Sequence, residues 1–140
     1  MTRSLLIATS LATLFALPAQ AAELPPLAQN QEIYAKFIPL GVADRLRDTC
    51  PEVEPAHFRV WMSVLNLRSM ARAQGYTDDD IRGLKDDLAA KATIKSEVTE
   101  ILSALGAAPD HIASHCKVAR EQINARSPAG RLIRISNHED

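Results

Sequence analysis

The chain has almost no excess of charge in either direction. Its 16 lysines and arginines stand against 17 aspartates and glutamates, for a formal net charge of −1. Nucleic-acid binding draws on clustered positive charge, so this balance gives no electrostatic reason to expect a DNA or RNA partner, and no polybasic run is available to hold a membrane surface. Glycine-rich loops are also missing. The five glycines are scattered at turn and helix-end positions, which excludes a phosphate cradle built on them. There is no Gly-x-Ser-x-Gly elbow for a nucleophilic serine and no His-Glu-x-x-His zinc-protease motif. Carboxylate pairs suited to glycoside cleavage do not stand out among the many surface acids. No repeat, low-complexity tract or change of composition divides the chain. Beyond its first 17 residues no stretch is long and apolar enough to span a bilayer.

What is present begins with an export signal. Arg3 is followed by an uncharged apolar run from Ser4 to Leu17, then by Pro18 and the small-x-small triplet Ala19-Gln20-Ala21, the pattern that signal peptidase reads. Cleavage is expected after Ala21, leaving a protein that starts at Ala22 in the periplasm or outside the cell. The alternative, an uncleaved membrane anchor, would need about 20 apolar residues, more than this run offers. No cysteine follows the cleavage point and a single arginine precedes the run, so lipoprotein and twin-arginine signals are absent. An oxidising compartment then bears on the two cysteines, Cys50 and Cys116. They permit one internal pairing, and a bridge over so long a loop stabilises by about 4 kcal/mol in the chain-entropy picture. They lack the Cys-x-x-Cys spacing of a redox pair.

The remaining pattern is helical. Residues 22–30, with Pro25-Pro26, read as an extended N-terminal arm. A first helical region covers about 31–48, with Pro39 and Gly41 predicting a kink or two short helices. Val42, Leu46 and Cys50 recur every four residues on one face. A second helix is expected from Pro55, in its first turn, to Gly75 at its C-terminal end. Phe58, Trp61 and Leu65 with Val60, Val64, Leu67 and Ala71 give it so broad an apolar surface that a central, fully packed helix is predicted. Thr77 caps a third helix whose first turn holds Asp78, Asp79 and Asp80. The polar stretch 91–97 predicts a bend or break within 78–105. A fourth helix starts near Pro109-Asp110 and carries Ile112, Cys116, Ala119 and Ile123 on its inner face. Ser127 and Pro128 open a last turn or an extended segment to Ile135, where a strand would have no evident partner. Residues 136–140 read as a frayed tail. The expected fold class is therefore all-α, a compact bundle of four to five helices over residues 31–135, with one disulfide and a cleavable signal peptide at residues 1–21.

Few residues suggest chemistry. His111 and His115, four apart on a helix, can share a metal ion, but further ligands are not evident unless the fold recruits His57 or Asp110. Asp78, Asp79, Asp80, Asp86 and Asp87 lack the spacing of a calcium loop and suit helix caps and solvated faces. Arg59 beside Trp61, together with Arg131 and Arg134, offers an interaction surface, since arginine and tryptophan anchor interfaces. The competing reading puts Trp61 in the core and the arginines along apolar flanks.

Asp48-Thr49-Cys50-Pro51, Phe58-Arg59-Val60-Trp61, Gly75-Tyr76, a second cysteine at 116 and Gly130-Arg131-Leu132-Ile133-Arg134 together resemble a family of small exported alphaproteobacterial proteins with a domain of unknown function. That resemblance implies a helical, disulfide-linked periplasmic domain and brings no activity, cofactor or catalytic residue with it. The expectation for function is a non-enzymatic periplasmic binding or structural accessory protein, with no cofactor and a protein partner. The alternatives are an acid-stress chaperone and a metal-dependent enzyme centred on His111 and His115.

Overall fold

The computed structural model describes residues 23–136; the predicted signal peptide and the last four residues lie outside them. Five helices dominate: α1 (Gln31–Thr49), α2 (His57–Ala73), α3 (Asp78–Asp86), α4 (Leu88–Ala104) and α5 (Ile112–Asn124). Strands β1 (Val53–Pro55) and β2 (Ile133–Ile135) form a small antiparallel ribbon, and 3-10 turns at Leu27–Gln29 and Gly130–Leu132 complete the elements of the described residues. The all-α expectation and the Cys50–Cys116 disulfide are both observed, with the two Cα atoms 5.1 Å apart. Among the described residues no helix is long and apolar enough to cross a membrane.

The central element is α1. It runs unbroken through Pro39, although an internal proline removes one helical hydrogen bond and costs about 3 kcal/mol. Packing outweighs that local cost, because α1 lies against α4, α5, α2 and β1. Gly41 permits the closest of these approaches: a Cβ there would sit 2.8 Å from Val98 Cγ2 of α4. At its end α1 delivers the fully buried Cys50 to Cys116 in the second turn of α5. The main core gathers around this bridge, with Val42, Leu46, Val98, Leu102, Val118 and Ile133 among its buried members. A smaller second core holds Leu27, Ile33, Leu67, Ala71 and Tyr76.

Several boundaries differ from the sequence expectations. Residues 22–30 were expected to be an extended, exposed or loosely packed arm; within it Leu27 is 6% exposed in the second core. The Tyr76 hydroxyl donates to Pro25 O at 2.9 Å, and Asn30 Nδ2 donates to Gln74 Oε1 at 2.6 Å. Pro55 closes β1 instead of opening α2; it pairs with Ile133, so the C-terminal strand does have a partner. Ser136 N donates to Glu52 O at 2.8 Å, which removes that residue from the expected frayed tail. The break in 78–105 falls at Asp87, not within 91–97. Asp87 ends α3 and accepts from Ala90 N at 2.9 Å as the N-cap of α4; a side chain that satisfies a free helical N–H decides the boundary better than local polarity does. Thr77 caps α3 as expected, in a reciprocal capping box with Asp80, and Gly75 takes the left-handed φ of +97°.

The largest correction concerns α2. Only Leu67 and Ala71 of this helix are fully buried. Phe58 is 71% exposed and Trp61 56% exposed, with Met62 and Leu65 also open to solvent. At 3.6 residues per turn, Val60, Val64, Leu67 and Ala71 form one stripe, while Phe58, Trp61, Met62 and Leu65 form another about 140° away. The inner stripe meets the cores through Val60, Leu67 and Ala71 but leaves Val64 44% exposed, and the outer stripe is uncovered.

Candidate functional site

Beside the outer stripe of α2 the fold collects positive charge. Arg59 stands in the first turn of α2, where β1 hands the chain to the helix. Arg131 lies in the 3-10 turn before β2, and Arg134 lies on β2 itself. Arg126 follows α5 with a left-handed φ of 50°. These four arginines, with Ile123, Gly130, Ile133 and Ile135, surround a shallow cavity of about 560 Å³ that no carboxylate lines.

The way these guanidinium groups are held is informative. Arg59 Nη1 donates to the backbone oxygen of Arg131 at 3.1 Å, and Arg131 Nε donates to the backbone oxygen of Arg126 at 2.9 Å. Neutral carbonyls thus orient the side chains and leave their charge uncompensated. Arg134 Nη2 is paired with Glu54, its cross-strand neighbour, at 3.1 Å. Among the described residues no ion pair within 4.0 Å involves Arg59, Arg126 or Arg131. Guanidinium groups gathered around one cavity repel one another and form a ready set of donors for carboxylates or phosphates, which arginine binds with a planar fork.

The cavity continues into a groove of about 500 Å³ that shares Arg59 and Arg131 with it. Phe58, Met62, Leu67 and Met70 of α2 give this groove its apolar side; Lys36 of α1 adds a further cation, and again no acid lines it. The Phe58 and Trp61 rings meet at a centroid distance of 6.1 Å. A contiguous exposed apolar patch on a folded domain marks a contact surface more often than chance, and methionine adapts to varied partner shapes.

Of the sequence candidates, the structure brings Arg59, Arg131 and Arg134 together on this face. It places the histidines elsewhere. His111, a candidate metal ligand from the sequence, is exposed, and its Nδ1 accepts from Ser114 N at 3.2 Å as the N-cap of α5. His115 is only 3% exposed, and its Nδ1 donates to His111 O at 3.1 Å. Among the described residues the one group of three ligand-type side chains is Cys50, Glu52 and Cys116, whose sulfurs are already bonded to each other. Neither His57 nor Asp110 joins the two histidines in such a group. The acidic run is engaged in local structure: Asp78 with Arg72, Asp79 with Arg82, Asp80 in the capping box and Asp87 at the α4 cap. Hydrogen bonds from Arg72 to Asp78 and from Thr77 to Asp80 hold both carboxyls below the usual carboxylate range.

Lys36 and Arg126 were not singled out from the sequence. A signal for Arg126 does exist, because residues 122–138 contain three arginines and no acid. Lys36 could not be found this way; it reaches the groove only because α1 crosses beside α2.

A sequence model described as a family of unknown function (DUF5333) matches residues 25–134. The chain belongs to that family. No curated protein and no solved structure matches it. The DUF5333 match spans all five helices, the arginine cluster and both cysteines.

Proposed function

We propose that this DUF5333 member is a non-enzymatic accessory protein of an oxidising, extracytoplasmic compartment, and that it holds an acidic, partly apolar segment of a partner protein. The observation that carries this reading is the unpaired charge of Arg59, Arg126 and Arg131 beside the uncovered Phe58 and Met62, with the exposed Trp61 ring against that of Phe58. An amphipathic segment with acidic side chains answers both features, through apolar anchors on α2 and carboxylates against the guanidinium groups. The buried disulfide and the N-terminal signal pattern support the compartment.

The single tryptophan gives a test, since the Trp61 ring meets that of Phe58, which lines the proposed contact. Titration with a synthetic acidic amphipathic helix is expected to blue-shift the Trp61 emission to saturation. The double variant Arg59→Glu, Arg131→Glu is expected to bind at least about tenfold more weakly, a loss of about 1.4 kcal/mol. Equal binding of a basic helix of the same apolar pattern would overturn the reading.

A second reading, a chaperone active under acid stress, is favoured by one observation. The carboxylates Asp78 and Asp80 that anchor α3 lose their bonds on protonation, and α3 carries the half-buried Ile81 and Leu84 over the second core. Suppression of client aggregation at pH 3 and not at pH 7, measured by light scattering, is the expected result on that reading; equal suppression at both would remove it.

A further inference from the structure

On the inner side of α2, away from Trp61, an apolar cleft of about 290 Å³ lies where α1, α2, α3 and α4 meet. Phe37 and Leu40 of α1 form its floor, and Val64, Leu67, Leu84 and Ile94 rise around them. It falls between the two cores, with Leu40 packed against both. Arg68 of α2 and Lys91 of α4 are its only charged lining residues. Among the described residues neither has an ion-pair partner within 4.0 Å. The cleft thus joins a hydrophobic interior to two cations that no close ion pair ties down, with Asp78 in coulombic reach of Arg68 and with Asp44 and Asp48 lining the neighbouring cavity that Lys91 shares.

We propose that this cleft binds a free single-chain amphiphile with an anionic head, its hydrocarbon on Phe37, Leu40 and Ile94 and its head between Arg68 and Lys91. Charge complementarity selects the head: a cationic amphiphile meets two like charges, and a neutral one leaves both cations without a close partner. The lining selects the tail. A peptide would bring backbone amides into walls with almost no hydrogen-bonding groups, a costly burial, whereas each methylene removed from water contributes about 0.8 kcal/mol. At about 290 Å³ the cleft stands at the bottom of the usual range of small-ligand pockets, about 300–1,000 Å³, which favours one hydrocarbon chain over two. The site is separate from the arginine cluster, since Arg59, Arg126 and Arg131 do not line it, and it shares only Leu40 and Leu67 with the groove beside that cluster.

The test is calorimetric titration of the full folded chain, stripped of lipid, with dodecanoate and with dodecyltrimethylammonium below their micellar concentrations. Dodecanoate is expected to bind at least tenfold more tightly than the cationic amphiphile. The surface double variant Arg68→Glu, Lys91→Glu is expected to reverse that order. Val64→Phe is expected to weaken dodecanoate binding at least tenfold by filling the cleft, and Val64 is 44% exposed, so the larger ring adds little strain to the core. Equal affinity for the two head groups, unchanged affinity in Val64→Phe, or binding to anionic vesicles without binding of monomeric dodecanoate would each overturn the proposal.

Discussion

At the scale of single residues, Gly130 shows how much a small side chain decides. A Cβ there would lie 1.9 Å from the backbone oxygen of Gln122, in the last turns of α5. The hydroxyl of Ser127 accepts from Gly130 N at 2.9 Å and fixes the turn that brings Arg131 beside Arg59. Gly130→Ala is expected to destabilise the protein by about 2–3 kcal/mol or more, the range of overpacked cores that must shift backbone, as read from chemical denaturation. A change under about 0.5 kcal/mol, the scale of neutral surface substitutions, would contradict that contact. Residues whose role is local were legible in the sequence: Thr77 as a cap, Gly75 as a left-handed helix end, and Ser127 as the start of the last turn. Residues whose role depends on tertiary neighbours were not. Trp61 has the same helical spacing whether a neighbour covers it or not, so periodicity alone could not reveal its exposure.

At the scale of elements, α2 and α3 carry the consequences. The outer stripe of α2 is apolar where a solvent-facing stripe is ordinarily polar, and this anomaly turns a structural helix into a contact surface. The sequence pattern marked every helical region, with α3 and α4 read as one helix carrying a bend or break and α1 read as kinked or split. The wrong boundaries, at Pro55, Asp87 and Pro109, fall where a strand pairing or a cap competes with local propensity. The anchoring of α3 has a pH consequence. Asp78 and Asp80 bind protons less tightly when folded than when unfolded, because the hydrogen bonds from Arg72 and Thr77 favour their charged forms. Their contribution is fully present above the ordinary carboxylate pKa of about 4 and is lost as pH falls through the lowered folded values. Amide exchange across α3, corrected for intrinsic rates, is expected to accelerate at pH 3 relative to α1 and α5; unchanged relative protection would contradict this. The opposite sign applies between α1 and α4. The Tyr34 hydroxyl donates to Glu97 Oε2 at 2.8 Å, and burial first, then that carboxylate, pushes its pKa up to about 12. This contribution is fully present below the unfolded value of about 10 and is lost as pH rises through about 12.

At the scale of the whole molecule, a disulfide of sequence separation 66 joins the end of the central helix to α5, and the two cores flank a cleft that neither fills. The fold class and the bridge were legible, because two cysteines and helical periodicity leave few alternatives. The arginine face was legible only in fragments, because it is assembled from α2, the turn after α5 and β2, which approach each other through tertiary contacts. Reduction of the bridge is expected to lower stability by about 4 kcal/mol, as the chain-entropy estimate gives for so long a loop; a denaturation midpoint unchanged by reductant would contradict its structural role. The central claim is that one face, built from α2 and the C-terminal turn, receives an acidic apolar segment. The most direct measurement of it is amide and side-chain chemical-shift mapping on the full chain during titration with the acidic amphipathic helix. Shifts concentrated at Phe58, Arg59, Trp61, Met62 and Arg131, and diminishing as salt is raised, are expected. Shifts confined to α3 and α4, or none at saturating peptide, would contradict it.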